Sequence, residues 1–160
     1  MPDPAPYPLL GPEQAALLAR RVSIVVASRD DQRRPHLMRA LACRLSSDLR
    51  RVTLLLPLGA AAQVLDDLRA NGHVAAVFSE PTTNRSLQLK GVEAQVLSAT
   101  ADDAALAAEH LERFIAEIGE LGFPAGVAQT ILCADGGIAA VSFTVAEAYE
   151  RLYRATSRTG

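Results

Sequence analysis

Apolar residues in this chain recur mostly at every second position, in short runs divided by polar turns, the pattern of half-buried strands. Residues 22–28 are β-branched and predict a first strand. A polar connection, 29–35, leads to a second strand over 36–45, with Leu37, Arg39, Leu41, Cys43 and Leu45 on one face. After a turn at 46–48, residues 52–56 are almost wholly apolar and predict a strand buried on both faces. Residues 73–79 and 86–98 predict a fourth and a fifth strand, the fifth bent at Gly91. On the fifth, Leu87 and Leu89 point one way and Ser86, Gln88 and Lys90 the other. A last hairpin is expected from 130–134 and 138–145, turning at Asp135, Gly136 and Gly137.

Between these runs the period lengthens to that of helices. Pro12 and Glu13 open a short helix ending near Arg21. A second spans 58–70, with Val64, Leu65 and Leu68 on its apolar face and Asn71-Gly72 as its stop. A third starts at Thr100 and runs to about Leu121, with Leu111, Phe114, Ile115 and Ile118 at helical spacing. The tail from Ala146 reads as a helix that frays. Short connections between strands imply antiparallel pairing, and the alternation of a doubly wound βαβ sheet is absent. Six or slightly more strands in this length predict a small antiparallel barrel flanked by helices. The organisation expected is an arm (1–11), one domain (12–150) and a tail (151–160).

Composition narrows the function. The 160 residues suit one ordinary domain, and the formal net charge is −2, so nucleic acid is not the expected partner. No apolar run is long enough to cross a bilayer, and the start has neither the basic nor the apolar region of a secretion signal. With two isolated cysteines, Cys43 and Cys133, read as small core residues, the expected setting is a reducing cytoplasm. All basic residues but Lys90 are Arg, which makes that lysine stand out.

Hydrolase and nucleotide-loop motifs are absent, and His36, His73 and His110 lie far apart with no metal-ligand spacing. Glu109, Glu112, Glu117 and Glu120 read as a solvated helix face. The segment 79–91 differs. Thr83, Arg85, Ser86, Gln88 and Lys90 place hydroxyls, two cations and an amide on one loop and strand, a set suited to an anionic ligand with a polar heterocyclic edge. A plain polar strand beside a turn fits the same spacing.

This segment, with the strand before it and the strand–helix pattern of 52–72, resembles the pyridoxamine 5'-phosphate oxidase-like family of FMN-binding split barrels. The resemblance implies a six-stranded Greek-key split β-barrel and a homodimer with flavin at the subunit interface. It implies that FMN would exchange hydride with a small-molecule redox substrate. It makes Gln88 the flavin-facing residue and places Arg85, Ser86, Lys90 and Thr83 beside it. Arg39, a charge in mid-strand, is a further cofactor-binding candidate. No catalytic residue is assigned. The stretch 57–63 departs from the family, since Pro57-Leu58-Gly59-Ala60-Ala61-Ala62-Gln63 offers no side chain suited to a phosphate, leaving backbone N–H groups. The residues that mark vitamin B6 oxidation are not recognisable. Alternatives are a non-catalytic protein that binds flavin, deazaflavin F420 or haem, the last on His36 or His73, or a dimeric barrel that has lost its cofactor.

Overall fold

The computed structural model describes residues 10–134 and 136–152, and the side chains to Arg151. The arm up to residue 9, Asp135 of the expected turn and the tail from 153 lie outside the described residues. The elements are α1 (Pro12–Leu18), β1 (Ser23–Arg29), β2 (Pro35–Arg39), β3 (Ala42–Leu45), β4 (Arg51–Pro57), α2 (Ala62–Asn71), β5 (Val74–Glu80), β6 (Arg85–Ser98), α3 (Ala101–Glu120), α4 (Ala125–Ile131) and β7 (Ile138–Leu152).

All strand pairs are antiparallel, in one sheet ordered β2-β1-β5-β6-β7-β4-β3. Its two edges, β2 and β3, are the halves of the single strand expected over 36–45. At the junction the Ala40 N–H donates to the Ile24 carbonyl (3.0 Å) and the Leu41 N–H to the Leu55 carbonyl (2.7 Å). One bent segment therefore hands over from β1 to β4, closing the barrel at a point and splitting it on either side. With β2 and β3 taken as one strand, β5 returns beside β1, as a Greek key requires.

The bend corrects the face assigned to this segment. Met38 and Ala40 face the main core, and so do Cys43 and Leu45, because the bend shifts the alternation by one residue. Leu37 and Arg39 instead point outward, Leu37 with 68% exposure.

Two cores share the sheet. Inside the barrel, Ile24, Val26, Leu54, Leu56, Phe78, Leu87, Leu89, Val141 and Phe143 pack together with Val64, Leu65 and Leu68 of α2. Under α3 and α4, Leu41, Leu55, Ala140, Phe114 and Ile118 form a second cluster. β4 serves both, which explains its unbroken apolar run.

Three further expectations are corrected. Residues 130–134 are not a strand: α4 covers 125–131, and the Thr130 hydroxyl is spent on the Gly126 carbonyl inside it. Residues 146–152 are not helical, because β7 pairs with the whole length of β6. Cys133 is exposed, whereas Cys43 packs on the core, and burial pushes its thiol up to about 12.

Candidate functional site

Strand alternation decides which side chains leave the barrel wall. Three cross-strand rows point outward from β2, β1, β5, β6 and β7. The middle row is Arg39, Val25, Val77, Gln88 and Tyr149. Beside it run Leu37, Ala27, Ala75, Lys90 and Glu147 on one flank and Ser23, Ser79, Ser86 and Arg151 on the other. Strands about 4.8 Å apart make this face about 19 Å wide. Its centre, Val25, Ala27, Ala75 and Val77, is small, apolar and half-buried. The rim carries cations, an amide and hydroxyls.

A cleft of about 400 Å³ opens at one end of the face. It is lined by Ala27, Arg29, His73, Ala75, Lys90 and Glu147 among others. Lys90 Nζ lies 3.5 Å from Glu147 Oε2 and 5.8 Å from the centre of the Tyr149 ring. The Tyr149 hydroxyl donates to the same carboxylate at 2.8 Å, which holds the phenol above its ordinary pKa. Arg29 and His73 line the same cleft, so three basic side chains border one apolar floor.

The structure gathers four of the six residues singled out in the sequence. Arg39, Ser86, Gln88 and Lys90 share the outward face. Arg39 donates to the Ser23 hydroxyl, and Ser86 lies 3.5 Å from the Ser79 hydroxyl. Thr83 and Arg85 fall elsewhere. Thr83 closes the β5–β6 turn by donating to Glu80 Oε1 at 2.7 Å. Arg85 has the opposite alternation to Gln88, and its guanidinium holds Glu150 at 2.8 Å. Glu117, expected in solvent, is buried and accepts the Thr82 N–H at 2.9 Å, pinning the same turn to α3. That contact is needed because the turn exposes N–H groups that the sheet cannot satisfy.

Arg29, Glu147, Tyr149 and Arg151 were not singled out in the sequence, and His73 only as an alternative haem ligand. Glu147, Tyr149 and Arg151 follow the alternation of β7, a signal hidden by reading the tail as helix. Arg29 and His73 come together only through the pairing of β1 with β5.

The histidines separate clearly. His110 is buried, its Nε2–H donating to the Val22 carbonyl at 2.9 Å, and burial lowers its pKa. His36 lies under α2, against Asp67. His73 alone borders the cleft. The Ala-rich stretch before α2 has spent two of its N–H groups, Leu58 on the Gly137 carbonyl and Ala61 on that of Pro57.

No family model matches the chain, and no curated protein matches it. Solved structures do. The chain is similar to HupZ of Group A Streptococcus, at 15% identity and a TM-score of 0.56, covering 90% of this chain and 95% of that one. It is similar to an F420 reductase, at 14% identity and a TM-score of 0.55, covering 92% and 98%. A third is a pyridoxamine 5'-phosphate oxidase-related, FMN binding protein from Nostoc punctiforme, at 14% identity and a TM-score of 0.52, covering 89% and 84%. These likenesses extend over nearly the whole chain and establish its fold as that of the small pyridoxamine 5'-phosphate oxidase-like barrels.

Proposed function

With that fold as the premise, we propose that the chain is an FMN-binding protein that carries the cofactor on the outward face of β1, β5 and β6. In this reading it works as a homodimer and exchanges hydride with a small-molecule redox substrate. The observation that carries the reading is the apolar floor of Val25, Ala27, Ala75 and Val77 between an amide and a cationic cleft. A flat heterocycle needs such a floor, and its anionic side chain needs the cations.

Gln88 can both donate to and accept from the ring's polar edge, because its amide has both functions. Lys90, Arg29 and His73 would hold the phosphate. A bound flavin supplies reversible hydride transfer, and the chain's own part is to position it and exclude water. Tyr149, kept protonated by Glu147, holds a proton at the border of the site. The exposed Leu37 and the half-exposed Tyr149 would be covered by the second subunit.

FMN titration followed by flavin fluorescence tests the assignment. Lys90→Ala is expected to weaken binding about tenfold, the loss of one charge-assisted contact. Arg85→Ala should leave affinity nearly unchanged, since its partner is Glu150. Equal losses in both variants, or no loss in Lys90→Ala, would move the site off this face.

A further inference from the structure

We propose that His36 and Asp67 form a general-base dyad in a second site, one that cleaves small acyl esters with water and does not rest on the flavin reading. Asp67 sits on the buried side of α2, and its Oδ2 lies 2.6 Å from His36 Nδ1 and 2.7 Å from the Ser28 hydroxyl. A carboxylate can only accept, so in the neutral ring the proton belongs on Nδ1 and the lone pair on Nε2. Among the described residues nothing bonds Nε2. The ring is 23% exposed and lines a cavity of about 260 Å³ with Asp30, Arg34, Gln63, Asp66 and Asp67.

This arrangement meets the geometric demands of a base held by a third group. Ser28 donates to Asp67 rather than to the imidazole, so it is not the nucleophile, and a water in the cavity takes that role. Arg34 is anchored through its Nε to Asp30 Oδ2 at 2.7 Å, which leaves its terminal N–H groups as donors to a developing oxyanion. The cavity falls below the ~300 Å³ at which drug-sized ligand sites begin, so the substrate is small.

In the forward step Nε2 takes a proton from water while the water oxygen bonds to the acyl carbon and the carbonyl pair moves onto its oxygen. On collapse the carbonyl re-forms, the bond to the alkoxide breaks, and the imidazolium returns the proton to that alkoxide. Acid and alcohol result, with no oxidant or reductant. Asp67 is a positioning residue: it sets the tautomer and ring orientation without touching the substrate.

Hydrolysis of 4-nitrophenyl acetate by the full chain, freed of any bound chromophore, tests this. Saturable turnover is expected, and His36→Gln should lower kcat/KM about 100-fold, the usual worth of a general base. Asp67→Asn should lower kcat about tenfold or more with KM within about a factor of two, the split expected of a group acting through another. If His36→Gln fails to fold, acylation by diethyl pyrocarbonate replaces it, with loss of rate expected in step with modification mapped to His36. Non-saturating hydrolysis equal to that of free imidazole, or a rate that survives loss of His36, would overturn the proposal.

Discussion

At the scale of single residues, one glycine shows how tightly the site strand is tied to the core. A Cβ on Gly91 would lie 2.1 Å from Cδ2 of Phe143, a fully buried ring. No side chain fits there without moving Phe143. The same position marks a register shift in the pairing of β6 with β7, so the bend expected at Gly91 has a packing cause. Gly91→Ala should destabilise the fold by about 1–3 kcal/mol, the usual cost of overpacking, seen as a lower urea midpoint. An unchanged midpoint would show that Phe143 can swing aside. The outward set of Ser86, Gln88 and Lys90 was legible because a period of two needs no tertiary information. Thr83 and Arg85 were grouped with them by proximity in the chain, although Arg85 has the opposite parity.

At the scale of elements, α3 was legible nearly to the residue because its start is written locally. The Thr100 hydroxyl accepts the Asp103 N–H at 3.1 Å, and the Asp103 carboxylate accepts the Thr100 N–H at 3.1 Å. Arg44 of β3 donates to Asp103 at 2.9 Å, so the cap also docks the helix. Burial alone would raise the Asp103 pKa, but the Thr100 N–H and the Arg44 guanidinium more than offset it and the value falls below 3.8. Its stabilising share is therefore present above pH 3.8 and lost as pH falls through the lowered value. Asp103→Ala should cost about 1–2 kcal/mol at neutral pH. The cost should vanish in strong acid, and urea melts at both pH values check it.

His110, two turns further along the same buried face of α3, behaves in a parallel way. Burial lowers its pKa from 6.5, so its contribution is whole above pH 6.5 and lost as pH falls through the folded value. An NMR titration of its ring should give a midpoint below 6.5, and one above it would contradict the buried, neutral reading. α4 and the end of β7 were misread because their states are decided from a distance. β7 extends to Leu152 because the 14-residue β6 offers a partner along its length, and no local preference records that.

At the scale of the whole molecule, barrel closure is the feature the sequence pattern concealed. Residues 36–45 read as one strand, and only the pairing of Ala40 with β1 and Leu41 with β4 shows that it bends. That closure turns β1, β5 and β6 into a continuous outward face with Leu37 and Tyr149 at its margins. If a second copy covers this face, Val77→Arg should abolish dimerisation and flavin retention together, because Val77 stands in the row between Arg39 and Gln88. Light scattering on the variant and the parent checks it, and a monomeric parent would contradict the dimer.

Whether a flavin sits on the outward face is read from the visible absorption spectrum after FMN is added and the excess removed on a sizing column. A flavin spectrum that travels with the protein in a dimer-sized peak, at about one FMN per chain, is expected. A colourless peak, with F420 or haem retained in place of FMN or with no chromophore held at all, would contradict it.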